Sequence, residues 1–92
     1  MRAMQIAAML ALAIASVLAS VSAASAQTCQ ALWIERNSYY KEAGFCFKTA
    51  RAIAYFGNAG CLYDIEAAVP FSRRVRGRIN EIVRLERRFG CN

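Results

Sequence analysis

Histidine is missing from this 92-residue chain. Without an imidazole, the chain cannot form the Ser–His or Cys–His pairs that activate nucleophiles, and it has no histidine to hold a catalytic metal. Carboxylate pairs remain, and Glu35 and Glu42 lie ~10 Å apart along the axis if both sit on one helix. That distance is at the outer limit for an acid/base pair. We therefore predict that the protein is not an enzyme and binds no cofactor and no metal.

Charge is missing from the amino end, since no charged residue occurs between Ala3 and Ile34. The stretch after Arg2 is apolar and rich in alanine, and it leads to an A-x-A sequence at residues 24–26. A positive start, an apolar stretch and an A-x-A site are typical of a secretory signal peptide. We predict that residues 1–26 are a cleavable signal, that residues 27–92 form one small domain, and that the protein is periplasmic or secreted.

A retained membrane anchor is the alternative interpretation of this apolar stretch, because a spanning helix needs ~20 apolar residues. The stretch has a comparable length, but it is mostly alanine and contains Gln5, Ser16 and Ser20. No basic residues follow it to stop transfer. We favour cleavage, after which no stable membrane span is left.

The four cysteines lack the C-x-x-C spacing that zinc sites favour. All four lie in the predicted mature part, where an even number of cysteines indicates two disulfides; a four-cysteine zinc site is the alternative. A helix over residues 29–43 would be ~22 Å long and would separate Cys29 from Cys46. Bridged Cα atoms lie within ~7 Å, which disfavours Cys29–Cys46 with Cys61–Cys91. Cys46 and Cys61 flank a short predicted helix and a glycine-rich turn predicted at residues 57–60, which can bring them together, so the pattern favours Cys46–Cys61 with Cys29–Cys91.

Apolar residues at helical spacing predict a mainly α, three-helix domain. The predicted helices cover residues 29–43, 50–56 and 73–89. The first follows a cap at Thr28 and stops at Gly44, and the second is capped by Thr49 and directs Ile53 and Phe56 inward.

The only proline, Pro70, separates a predicted helical turn near residues 65–68 from the third helix, which Ser72 caps. The apolar stripe of that helix is predicted from its spacing. Its members are Val75, Ile79, Ile82, Val83 and Phe89.

Residues 36–47 contain an Arg-Asn pair, a tyrosine three residues later, and a Gly-Phe-x-Phe sequence. This pattern resembles the YARHG family of bacterial envelope domains. The matching residues are Arg36, Asn37, Tyr40, Gly44, Phe45 and Phe47. The family's Ala-Arg-His is replaced here by Lys-Glu-Ala at residues 41–43, so no role of that histidine carries over. The resemblance spans roughly residues 29–91 and implies an extracellular module with no established activity.

Arg36 and Asn37 have two interpretations. They form a polar recognition pair, or they are structural, with Arg36 bound to a carboxylate and Asn37 bound to the backbone of a loop. We favour the structural interpretation. The aromatic side chains of the mature part are likewise expected mostly in the core, and Tyr63, next to Asp64 in a loop, is the best candidate for an exposed contact.

Positive charge is concentrated in the predicted third helix, where four arginines occur within six positions. They are Arg73, Arg74, Arg76 and Arg78. Cations are unfavourable at a helix amino end, so local stability does not explain them, and they indicate either an anionic partner or a solvated face. We predict a non-catalytic module that binds an anionic envelope component, such as a wall polymer or peptidoglycan. The alternative is an interaction or inhibitor domain that acts on an envelope protein; nucleic acid is not an expected partner.

Overall fold

Helices make up most of the computed structural model, which describes residue 26 and residues 28–91. Helix α1 is described over residues 28–43, α2 is Ala50–Phe56, and α3 is Arg73–Arg88. A 3₁₀ turn, Glu66–Ala68, lies between α2 and α3. The prediction of a mainly α, three-helix domain is confirmed. The predicted signal peptide lies outside the described residues, apart from residue 26.

Helix α1 ends at Gly44, as predicted, because this residue adopts the left-handed conformation with φ of 90°. The Gly44 amide donates to the Lys41 carbonyl at 3.2 Å, and the Phe45 amide donates to the Tyr40 carbonyl at 3.0 Å. These two bonds satisfy carbonyls that the helix itself leaves unpaired. The predicted cap at Thr28 was wrong, since Thr28 is itself helical.

The Gly44 carbonyl also fixes the loop that leads to the 3₁₀ turn. It accepts hydrogen bonds from the amides of Leu62 at 2.7 Å and Tyr63 at 3.0 Å. The Cys46 amide donates to the Tyr63 carbonyl at 2.8 Å, and Phe45 forms an isolated parallel bridge with Tyr63. The end of α1 and this loop are therefore joined by backbone bonds, although residues 28–91 contain no longer strand.

Helix α2 begins at the predicted cap, where the Thr49 hydroxyl accepts a hydrogen bond from the Ala52 amide at 3.2 Å. Its inward residue is Ala52, which is 3% exposed, whereas Ile53 is 43% exposed. The prediction that Ile53 faces inward was therefore wrong. Phe56 does face inward and stacks on Phe47 at 5.2 Å between ring centroids. The small alanine lets this short helix lie close to the core.

Helix α3 begins as predicted after Ser72, whose hydroxyl accepts from the Val75 amide at 3.2 Å. Ile79 and Ile82 are buried, and Ile82 has no exposed surface. Phe89 was predicted to belong to the same apolar stripe, but it lies beyond the last helical residue and is 46% exposed.

Aromatic rings fill much of the core between the helices. Tyr40 meets the Phe71 ring edge to face at 4.9 Å, and Phe45 meets both Tyr40 and Phe47 at similar distances. Trp33 also packs against this cluster. Rings of this size bury a large area for few residues, which suits a small domain.

Two disulfides close the structure, Cys29–Cys91 and Cys46–Cys61, as the cysteine spacing predicted. Their Cα atoms are 5.5 Å and 5.1 Å apart. Because no cysteine among the described residues is free, the four-cysteine zinc alternative is wrong. The first bond joins the beginning of α1 to the end of α3, and the second holds the loop after α2.

We expect reduction of both disulfides to unfold the domain. The chain-entropy model assigns about 3 kcal/mol to the shorter loop and about 4 kcal/mol to the longer one, out of ~5–10 kcal/mol for a typical small domain. Near-ultraviolet circular dichroism before and after reduction measures the effect. A reduced protein that keeps its near-ultraviolet signal would contradict this prediction.

Candidate functional site

An ion pair joins α1 to α3 near the middle of the domain. The Arg36 guanidinium donates to the two oxygens of Glu86 at 2.7 Å and 3.1 Å. The side chains are 27% and 14% exposed, so the pair is largely removed from water. Bidentate pairs of this kind are strong and directional. The contact agrees with the structural interpretation of Arg36.

Asn37 is buried at 8% exposure, and its side-chain amide donates to the Trp33 carbonyl at 2.9 Å. This carbonyl belongs to α1 itself, so the expected bond to a loop was wrong. Asn58 makes such a bond instead: its side chain accepts from the Phe47 amide at 2.7 Å and donates to the Phe47 carbonyl at 3.0 Å. The sequence signal for this role was its position in residues 57–60, where two glycines and an asparagine predict a turn.

We expect Arg36→Leu to destabilise the domain by about 2 kcal/mol, because it leaves the Glu86 carboxylate largely buried without its partner. Arg84→Leu, on the exposed side of α3, is the matched control and is expected to change stability by less than ~0.5 kcal/mol. Urea unfolding measures both. Equal effects of the two variants would show that the ion pair contributes nothing specific.

A second ion pair joins the helices at Arg78. Its guanidinium donates to the Glu35 oxygens at 2.6 Å and 2.7 Å and also contacts Glu81 at 3.2 Å. The Tyr39 hydroxyl donates to Glu35 at 2.8 Å. The hydrogen bond from Arg78 lowers the pKa of Glu35 to about 2, and the bond to Glu35 raises the pKa of both Arg78 and Tyr39. Arg78 is thus bound by carboxylates of the protein itself.

This pair predicts a loss of stability in acid. A carboxyl whose pKa is lowered on folding stabilises the fold above its unfolded value of 4.5, and the contribution is lost as the pH falls through about 2. We expect Glu35→Gln to cost about 1 kcal/mol or less at neutral pH, because solvent screens the pair. The difference from the parent should shrink on acidification across that range.

Urea unfolding at a series of pH values measures this difference, and Glu42→Gln is the control. The Glu42 side chain is exposed and forms no ion pair within residues 28–91. A stability difference between Glu35→Gln and the parent that stays constant from neutral pH to pH 2 would count against the ion pair.

The remaining arginines of α3 have no carboxylate partner in the part of the chain that the structure describes. We call this set the arginine face. It consists of Arg73, Arg74, Arg76, Arg84, Arg87 and Arg88, all of them exposed. At ~100° per residue, the set lies within an arc of about 160°, and it extends for ~22 Å along the helix. The arginines form two groups, one at each end of α3, and Glu81, which pairs with Arg78, lies within the same arc between them. The face is therefore predominantly positive.

The structure places the four predicted arginines in α3, together with three exposed arginines that the prediction did not include. Arg73, Arg74 and Arg76 belong to the arginine face, whereas Arg78 is turned toward α1 and paired. The other three members lie farther along the helix. The available signal was their helical spacing, with eight residues from Arg76 to Arg84 and then three and four residues to Arg87 and Arg88. Binding by any of these residues stays a prediction.

Tyr63 lies on the loop after the second disulfide and is only half-buried. Its backbone bonds to Gly44 and Cys46, as described above, fix its position. The structure does not bring it to the arginine face through any contact, so its predicted role in binding stays a prediction.

A cleft lies between the 3₁₀ turn and helices α1 and α3. Its centre is a hydrogen bond from the Tyr40 hydroxyl to the Glu66 carboxylate. Burial, and then this bond, raise the pKa of Tyr40 to about 12, so the phenol stays protonated at neutral pH. On one side of the bond is a cavity of about 400 Å³ that also reaches Phe71, Arg76 and Asn80. We call it the α3-side cavity.

On the other side of the same bond is a second cavity of about 240 Å³, here called the motif cavity. Residues of the Arg-Asn and Phe-x-Phe pattern line it. They are Arg36, Asn37, Tyr40, Phe45 and Phe47. The pattern found in the sequence therefore converges on one place in the fold, next to the core aromatic rings.

No group of cysteine and carboxylate side chains within residues 28–91 is arranged to hold a metal ion. None of the helices described there combines the length and the apolar character that crossing a membrane requires.

These features define a class of protein: a small helical domain that is cross-linked by two disulfides and carries one basic helix face. The family model of the YARHG domain matches residues 7–87, and the chain belongs to this family. The resemblance inferred from residues 36–47 is thus confirmed, and membership is consistent with an extracellular module. The match begins within the predicted signal peptide, so a domain start at residue 27 stays a prediction. No curated protein and no solved structure matches the chain.

Proposed function

We propose that this protein is a non-catalytic, exported module that binds an anionic component of the bacterial cell envelope, a wall polymer or peptidoglycan, through the arginine face. The observation that carries the proposal is the division of charge in the domain. Five of the six carboxylates bind a side chain of the protein, whereas the six arginines of the face bind no carboxylate among the described residues.

The arginine face is held in a fixed position by the contacts of α3 with α1. Glu86 and Arg78 anchor the helix through ion pairs, Ile79 and Ile82 anchor it through burial, and Cys91 anchors its end through a disulfide. Because the helix that carries these arginines is held in place, only their side chains have to be ordered when an extended anion binds, which favours affinity. The two disulfides and the family membership support location outside the cytoplasm, in the periplasm or beyond.

A second candidate function is supported by apolar side chains on the loop before the 3₁₀ turn. Leu62 is 75% exposed and Ile65 is 67% exposed. Exposed apolar residues that lie close together in a loop are typical of protein contacts. They favour the alternative of an interaction or inhibitor domain for an envelope protein.

We expect the oxidised protein to co-sediment with purified peptidoglycan that carries its anionic polymers, and the bound fraction to fall as salt rises. Replacing Arg73 and Arg84 together by Ser should weaken this binding roughly thirtyfold, since each of the two cations contributes ~1 kcal/mol near an anionic surface. Sedimentation at several salt concentrations measures both effects.

The control replaces Lys48 and Arg51 by Ser, which removes the same charge at positions outside α3. Because Lys48 pairs with Asp64 and Arg51 lies 3.8 Å from the centre of the Trp33 ring, circular dichroism verifies that this variant is folded. Little change in this control is expected. If both double variants weaken binding equally, the effect depends on net charge alone, and a specific role of the arginine face is contradicted. Absence of binding at low salt would overturn the proposal and direct attention to a protein partner at Leu62 and Ile65.

A further inference from the structure

We propose that the α3-side cavity is a subsite for one sugar unit of a carboxylated glycan whose charges the arginine face attracts. This inference rests on the proposed function and specifies its ligand: a chain of sugar rings that carries acidic groups, as opposed to a polyanion without sugars.

The size and the walls of the cavity suit a sugar ring. Its volume of about 400 Å³ lies within the ~300–1,000 Å³ of small-ligand sites. Phe71 and Ile79 supply apolar wall, and Glu66, Arg76 and Asn80 supply polar groups. A pyranose has the matching character, because its ring faces carry C–H groups and its rim carries hydroxyls.

The polar groups around the cavity have unused bonding capacity. Glu66 accepts from Tyr40 through one carboxylate oxygen, and the other oxygen has no partner within residues 28–91. The amide of Asn80 and the guanidinium of Arg76 make no hydrogen bond to another described side chain or loop. A carboxylate, an amide and a guanidinium each offer two or more bonding positions in one plane, which fits neighbouring hydroxyls on a ring.

Arg76 connects the cavity to the arginine face. Its guanidinium lies 5.8 Å from the centre of the Phe71 ring at the cavity, and its helix position places it on the face. Asn80 is one helical turn from both Arg76 and Arg84. A glycan with one unit in the cavity would therefore place its next acidic groups along the arginines.

The Glu66 side of the cavity is held in place by its surroundings. The Ala68 amide donates to the Ile65 carbonyl at 3.0 Å, and the Val69 amide donates to the Glu66 carbonyl at 3.2 Å. The Val69 side chain is buried. Because the turn is ordered by these contacts, a ligand does not have to arrange it on binding.

Calorimetric titration of the oxidised protein with two probes tests the inference. Tetragalacturonate offers sugar rings with carboxylates, and a short linear polyphosphate offers negative charge without sugar. We expect Glu66→Gln to lower the ratio of the two affinities, tetragalacturonate over polyphosphate, about tenfold. Glutamine keeps one acceptor oxygen, which the Tyr40 hydroxyl occupies, and places an NH2 group where the second carboxylate oxygen would accept from ring hydroxyls. Glu42→Gln changes the net charge equally, away from the cavity, and should leave the ratio at the parent value.

Asn80→Ala is the second cavity variant and should lower the same ratio. Circular dichroism verifies that each variant is folded. If Glu66→Gln does not fold, the result for Asn80→Ala, which replaces an exposed residue of α3, decides the test. If both folded cavity variants keep the parent ratio, the sugar subsite is overturned while the arginine face can stand. If the ratio falls but replacing Arg73 and Arg84 by Ser affects neither probe, the arginine face is overturned and the cavity is supported.

Discussion

The antiparallel contact between α1 and α3 is the interaction on which the rest of the structure depends. A domain of this size can bury few apolar side chains, and α3 contributes only Ile79 and Ile82 as buried residues. The contact is therefore completed by other means: two bidentate ion pairs along its length and a disulfide at the end. The cleft depends on the same contact, since Tyr40 comes from α1 and Arg76 from α3.

The pairing of charges between the helices determines which charges remain for a partner. Carboxylates are scarce in this chain, and those at Glu35 and Glu86 are used to bind α1 and α3 together. The arginines that meet them, Arg36 and Arg78, become part of the framework. The arginines on the opposite side of α3 stay solvated. The side of α3 that faces α1 therefore has its charges neutralised, whereas the side that faces solvent stays positive.

The sequence predicted most of the framework, because the signals involved are local. Gly44, Thr49 and Ser72 end or begin helices through their own backbone or side chain. The length of α1, together with the short helix and the glycine-rich turn between Cys46 and Cys61, favoured the observed disulfide pairing. The site was less predictable. Whether Arg78 is free or paired depends on the rotation of α3 against α1, which no single helix encodes. The bond between Tyr40 and Glu66 joins residues far apart in the chain, and nothing local marks either side chain for it.

The two disulfide loops are nested, because Cys46 and Cys61 both lie between Cys29 and Cys91. This arrangement has a consequence for cleavage of the chain by proteases. The exposed arginines of α3 are sites that trypsin-like enzymes can attack, yet a single cut there does not release a fragment. The two pieces stay linked through Cys29–Cys91, and the loop closed by Cys46–Cys61 keeps its own ends together. Cleavage of one peptide bond in α3 therefore leaves the two resulting chains covalently linked.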